Sequence, residues 1–173
     1  MRTVTTLKDI SIHKHNREAV SVCEAFVDYK LHANILFIQG YSGVGKTTLL
    51  QCLTHDLQQK LEWNTTIVNT EEIAASLTQA IQKPGFSHQL YAEQFMDHDV
   101  LILDDFDCLV DRTDVQRELA IVLKHVLHSG RNIVIASRST SNYFPHMFTS
   151  KGFKEVKITK PPFGELNEEK KTA

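Results

Sequence analysis

The stretch Gly40-Tyr41-Ser42-Gly43-Val44-Gly45-Lys46-Thr47 satisfies the phosphate-binding pattern G-x-x-x-x-G-K-[ST] at every fixed position. An apolar, β-prone segment, Ile35 to Ile38, precedes it and a helical pattern, Thr48 to Leu61, follows it. That is the strand-loop-helix setting the pattern requires. Glycines let the backbone curl so that successive N–H groups converge on phosphate oxygens, and the new helix points its positive end at the same anion. Gly40, Ser42, Gly43, Val44, Gly45 and Thr48 are therefore expected to wrap a nucleotide's phosphates. Lys46 should reach the outer phosphates, and the Thr47 hydroxyl should bind Mg²⁺.

The rest of the chain fits one α/β domain around that loop. Its 173 residues allow a sizeable core but not two domains of ordinary size. A hydrophobic content of 42% and a charged content of 23% are those of a soluble globular protein. The net charge of −2 gives no general attraction to nucleic acid or acidic membranes. Cys23, Cys52 and Cys108 are odd in number and embedded in apolar patterns, which suggests reduced core thiols and a cytosolic location. The N-terminus lacks an apolar signal core, and no run approaches a membrane span, so secretion and membrane insertion are not expected.

Taken in order, the chain alternates helical and strand patterns. Asn16 is a candidate N-cap for a helix over Arg17 to Tyr29, with Val20, Cys23, Phe26 and Val27 on one face. After the phosphate loop, Leu49, Leu50, Leu53 and Leu57 form the apolar stripe of the next helix, and Thr65 to Val68 is a β-branched strand. Thr70 is expected to cap a helix carrying Ile73, Ala74, Leu77 and Ile81. A short helix over Ser87 to Met96 should turn Leu90, Tyr91 and Phe95 inward. Val100 to Leu103 is a continuous apolar run ending in Asp104-Asp105, as a central strand buried on both faces should be. Thr113 and Gln116 suggest a capping box for a helix to His128, with Gly130 as its stop. Ile133 to Ala136 and Val156 to Ile158 read as the last strands, Pro161-Pro162 closes the domain at residue 162, and a charged tail runs over 163–173.

This alternation predicts a parallel sheet with helices on both faces, whose ligands lie at the carboxyl ends of the strands. That rule brings the phosphate loop, Asp104-Asp105 and Ser137-Arg138 to one sheet edge. Asp104 is the candidate partner of Thr47 for Mg²⁺, because a hard cation takes oxygen ligands. Asp105 would orient or deprotonate the water that attacks the γ-phosphate, with Lys46 completing the catalytic pair. Ser137 and Arg138 could sense that phosphate, by hydrogen bond and by charge respectively. Asp107 and Asp111 read as ordinary loop or helix-start charges, and the scattered histidines complete no metal set.

These blocks resemble the AAA+ core of the bacterial replication initiator DnaA and its relatives, including Hda and the helicase loaders. The blocks are the phosphate loop, Asp99 to Phe106, Thr113 to Leu119 and Gly130 to Ser137. The resemblance spans roughly Asn16 to Pro162. It implies a three-layer αβα fold of AAA+ type with a five-stranded parallel sheet, ATP with Mg²⁺ as ligand, and Ser137 in the sensor-1 region. Members of that family add a helical lid with a sensor-2 arginine, and offer a second arginine to a neighbouring subunit. This chain stops soon after its last strand, and Phe148 to Phe153 carries only Lys151, which lacks the arginine fork.

The resemblance thus implies a nucleotide-dependent switch or adaptor, with weak or partner-dependent hydrolysis and a protein partner or a homo-oligomer. Lys83 is the only Lys or Arg between Leu61 and Asp111, where family members contact DNA, and the initiator's helix-turn-helix domain is absent from this chain. Strong DNA binding is not expected. Two other readings stay open: a signalling NTPase module of NB-ARC or NACHT type, suggested by Lys46 to Leu49 and Ala136-Ser137-Arg138, and a degenerate phosphate-loop protein that binds a partner without turnover.

Overall fold

The computed structural model describes residues 5–145 and 152–159. Lys151, the Pro161-Pro162 pair and the 163–173 tail lie outside the described residues. The elements are α1 (Arg17–Val27), β1 (Ile35–Gly40), α2 (Lys46–Leu61), β2 (Thr65–Asn69), α3 (Thr70–Ala80), α4 (His88–Ala92), β3 (Val100–Asp104), α5 (Thr113–His128), β4 (Asn132–Ser137) and β5 (Phe153–Ile158). The five strands form one parallel sheet in the order β2-β3-β4-β1-β5. With helices on both faces, this is the three-layer αβα architecture of AAA+ type.

Alternation along the buried strands divides the core in two. Ile35 and Phe37 of β1, Leu101 and Leu103 of β3, and Ile133 and Ile135 of β4 pack with α3, α4 and α5. Leu36, Ile38, Val100, Ile102, Val134 and Ala136 point the other way, onto α1 and α2. A strand covered on both faces needs apolar residues at every position, which is why β1 and β3 read as unbroken hydrophobic runs. β2 lies at the sheet edge, and Ile67 on its open face is 43% exposed.

Several element ends differ from the sequence reading, each for a local reason. Asn16 precedes α1 but makes no side-chain cap; its Oδ1 accepts from the His13 N–H at 2.8 Å. α1 ends two residues early because Tyr29 takes a left-handed conformation (φ 56°), with the Lys30 N–H returning to the Ala25 carbonyl at 2.8 Å. Asn69, not Thr70, caps α3, accepting from the Glu71 N–H at 2.8 Å. The Thr70 hydroxyl is fully buried and donates to the Asp104 carbonyl at 2.6 Å. Thr113 and Gln116 form no capping box: Thr113 is already helical, and the Gln116 amide donates to the carbonyls of Leu109 (2.8 Å) and Tyr143 (3.2 Å). The Ser87 to Met96 segment is one α-helical turn followed by a 3₁₀ turn over Glu93–Phe95, and Leu90 is 64% exposed rather than inward.

The N-terminal segment is tied to the same scaffold. Leu7 is buried against α1 and α2, and its N–H donates to the buried Asp56 carboxylate at 3.4 Å. Further along, the Thr159 N–H donates to the His15 carbonyl at 3.0 Å, so residues ahead of α1 meet the end of β5.

Candidate functional site

Parallel strands bring all their carboxyl ends to one edge, and there β1, β3 and β4 deliver the phosphate loop, the paired aspartates and Arg138. Between them lies a cavity of about 560 Å³ lined by Ser42, Gly43, Gly45, Lys46, Thr47, Thr48, Asp104, Asp105, Asp107, Cys108 and Arg138. Gly43 and Gly45 have φ of 78° and 97°, a region that side chains with a Cβ rarely enter, so the loop's curl requires glycine at both. Gly40 is needed for a different reason. A Cβ there would lie 2.8 Å from Val44 Cγ2 and 3.2 Å from the Ile158 carbonyl oxygen. Gly40 and Val44 thus pack the back of the loop, while Ser42, Gly43 and Gly45 face the cavity.

The first backbone bond of α2 runs from the Leu49 N–H to the Gly45 carbonyl at 2.9 Å, so the N–H groups of Lys46, Thr47 and Thr48 precede the helix's own ladder. Together with the helix dipole they make an anion site. Lys46 Nζ donates to the Gly40 carbonyl at 2.7 Å and to the Tyr41 carbonyl at 3.1 Å. An ammonium has three protons, so one remains to meet a phosphate oxygen. Burial holds the Lys46 pKa below its ordinary value despite the nearby Asp104, Asp107 and Asp105.

Across the cavity, Asp104 is fixed by the Thr70 bond to its carbonyl, and its Oδ1 accepts from the Asp105 N–H at 2.9 Å. Burial, reinforced by the neighbouring Asp105 and Asp107, raises its pKa; a bound cation would reverse that. The hydroxyl of Thr47 and the carboxylate of Asp104 therefore line one cavity as hard oxygen donors. They fit Mg²⁺, which uses one or two protein oxygens and retains water for the rest. No cluster of three or more His, Cys, Asp or Glu suited to a metal occurs among the described residues. Asp105 is exposed and takes a left-handed turn (φ 53°), which lifts it off the strand while Phe106 behind it is fully buried.

Two features of the wall differ from the sequence reading. Asp107 is not an ordinary loop charge: its side chain is 6% exposed and grips Arg138, accepting from the backbone N–H at 3.0 Å, from Nε at 2.7 Å and from Nη2. Burial pushes its carboxyl up, but those bonds outweigh burial and hold it below the ordinary value, while raising that of Arg138. Asp107 reaches this edge through the left-handed Asp105 and the 3₁₀ turn over Phe106–Leu109 that follows it. The second feature is Ser137, which is fully buried, off the cavity wall, and accepts from the Ser139 N–H at 3.1 Å. Cys108 also lines the cavity, but burial and the adjacent Glu71 push its thiol up to about 12, so it is no nucleophile at neutral pH.

The lining side chains carry two positive and three negative charges, so a polyanion would sit there comfortably only with a cation beside it. Among the described residues no helix is long and apolar enough to cross a membrane.

Known proteins share this fold. The chain is 28% identical over 139 residues to the chromosomal replication initiator protein DnaA of Pseudothermotoga lettingae, covering 79% of this chain and 31% of that one. Its fold is similar to that of a replication initiator DnaA bound to AMPPCP and single-stranded DNA, with a TM-score of 0.71 and 20% identity over 91% of this chain and 50% of that one. It is similar also to a DnaC helicase loader, with a TM-score of 0.64 and 16% identity over 89% and 96% of the two chains. The chain spans less than a third of the length of the curated initiators it matches, from 23% to 31%. The family described as the bacterial DnaA ATPase domain matches residues 3–149 of the 173, and the chain belongs to that family.

Proposed function

We propose that this chain binds ATP with Mg²⁺ and acts as a nucleotide-dependent switch or adaptor in replication, with weak or partner-dependent hydrolysis. The observation that carries the reading is the convergence of Lys46 and Thr47 from one segment with Asp104 and Asp105 from another on a single cavity. Ser42, Gly43, Gly45 and the first turn of α2 would wrap the phosphates through backbone N–H groups, and Lys46 would cover the outer ones. Thr47 and Asp104 would hold Mg²⁺, whose chemistry when bound is to neutralise phosphate charge. Asp105, exposed at the mouth, would orient the attacking water and accept its proton. Arg138 would meet the terminal phosphate, whereas Ser137 would act only by fixing the main chain at the end of β4.

The likeness to initiators and a helicase loader supports a protein partner or a second copy of the chain as the target of the switch. The sparse basic character of residues 61 to 111 argues against strong DNA binding by this chain. Nothing favours the signalling-module reading. Turnover separates the switch from a module that binds without hydrolysis. Purified protein should hydrolyse Mg-ATP slowly, and Asp105→Asn should lower that rate by about 10²-fold or more while leaving nucleotide affinity within about twofold. Asparagine suits the left-handed turn, so the fold is kept. Turnover untouched by the substitution would remove Asp105 from the mechanism, and absence of turnover in the parent alone would leave partner-dependent hydrolysis or a binding module.

A further inference from the structure

Arg138 is the one cavity-lining cation that already has a side-chain carboxylate partner among the described residues, and the way it is held separates its backbone from its head group. Asp107 accepts the Arg138 backbone N–H at 3.0 Å through Oδ1, and grips the guanidinium through Oδ2. The Arg138 carbonyl is fixed on its other side by Gln39 Nε2 at 3.0 Å. Gln116, 2% exposed, ties both surrounding turns to α5, one through the Leu109 carbonyl and the other through the Tyr143 carbonyl. Ser141 Oγ donates to Glu155 of β5 at 2.6 Å. The main chain is thus clamped at several points, whereas the Arg138 side chain is 61% exposed and its carboxylate partner only 6%.

We propose that Asp107 and Arg138 form a latch that distinguishes nucleoside triphosphates from diphosphates: the guanidinium leaves Asp107 for the terminal phosphate of a triphosphate and stays on Asp107 when that phosphate is missing. The inference rests on the nucleotide reading of the cavity and adds Asp107 to it as a positioning residue. The physical logic is competition between two anions for one fork-shaped donor. Arg138 has five N–H donors, of which Asp107 uses two, so the fork can meet phosphate oxygens while it still turns on its stem. Releasing the guanidinium leaves the half-buried Asp107 carboxylate at the cavity wall without its charged partner, which is unfavourable. Only a strong competing anion within reach can offset that. A diphosphate offers none at the terminal position, so the latch stays closed and the chain distinguishes the two ligands by more than their charge.

Binding of Mg-AMPPNP and Mg-ADP, measured by calorimetry on the full chain, tests this through the ratio of the two dissociation constants. Asp107→Asn keeps an oxygen for the Arg138 backbone N–H but loses the charge that holds the guanidinium, and it should shift the ratio about tenfold toward the triphosphate. Asp107→Ser, whose hydroxyl can accept the same N–H, should move the ratio in the same direction. Arg138→Gln should bring the ratio down, and in that background Asp107→Asn should leave it unchanged. The same shift with and without Arg138 would overturn the latch, because Asp107 would then act only as a like charge near the phosphates. An unchanged ratio in folded Asp107→Asn and Asp107→Ser would overturn it too. Failure of the parent chain to bind either nucleotide is a separate outcome and would sink the nucleotide reading itself.

Discussion

Replacing Gly40 by alanine should unsettle the phosphate loop through contact alone. Gly40 does not have a positive φ, so its backbone tolerates a side chain; the new methyl is what cannot fit. It would lie 2.8 Å from Val44 Cγ2, 3.2 Å from the Ile158 carbonyl oxygen and 3.3 Å from Ile158 Cβ. Ordinary contact begins at 3.4 Å, so Val44 has to retreat by at least about 0.6 Å and the β5 backbone by a few tenths. Overpacking of this kind costs about 1–3 kcal/mol. In a chain of this size each kcal/mol lowers Tm by about 2–4 °C.

The worst contact is with a single methyl group, which makes the reasoning separable. Val44→Ala removes Cγ2, and the Gly40→Ala/Val44→Ala double variant should be more stable than the sum of the single effects by about 1 kcal/mol. The remaining 3.2 Å and 3.3 Å contacts should keep it below the parent. Urea unfolding of the four proteins measures the coupling directly. Effects that add within about 0.5 kcal/mol would refute the claim that Val44 is what Gly40 makes room for.

Two further perturbations address the acidic wall. Asp104 is raised by burial above the ordinary aspartate value of 3.8, so the native state binds its proton more readily than the unfolded chain does. Its burden on stability is therefore complete above the folded pKa and relieved as pH falls through it, and Asp104→Asn should stabilise the nucleotide-free protein at neutral pH but not in acid. Asp107 is depressed by Arg138, so its contribution is present above the ordinary value and lost as pH falls through its lower folded pKa. Asp107→Asn should thus destabilise at neutral pH, with the difference narrowing in acid; parallel pH profiles of unfolding for the two variants would contradict this assignment. Thr70→Val keeps shape at a fully buried site but removes the 2.6 Å bond to the Asp104 carbonyl. It should cost about 1–3 kcal/mol in thermal unfolding and weaken Mg-dependent ATP binding, since Asp104 loses its anchor.

The parts legible in the sequence were those enforced by local pattern. β1 and β3 declared themselves because burial on both faces leaves no polar position, and the phosphate loop because its glycines must reach φ of 78° and 97°. Asp104 and Asp105 followed from the rule that ligands gather at strand ends. Capping was less legible, because adjacent residues compete for one role. Asn69 and Thr70 can both cap a helix, and the choice fell to Asn69 once the buried Thr70 hydroxyl had a carbonyl on the neighbouring strand. Gln116 matched a capping box three residues after Thr113, yet its amide reaches two turns that only the tertiary fold brings near. The Asp107–Arg138 pair joins residues 31 apart in sequence and depends on β3 and β4 lying side by side. No periodicity encodes that.

The central claim is that Lys46 and the loop around it bind ATP with Mg²⁺. Thermal unfolding of the parent and of Lys46→Ala, with and without Mg-ATP, tests it most directly. At a ligand concentration a hundredfold above the dissociation constant, binding should stabilise the parent by about 2.7 kcal/mol, or roughly 5–11 °C. Lys46→Ala should unfold at the same temperature with and without nucleotide. No shift in the parent, or an equal shift in Lys46→Ala, would contradict the account.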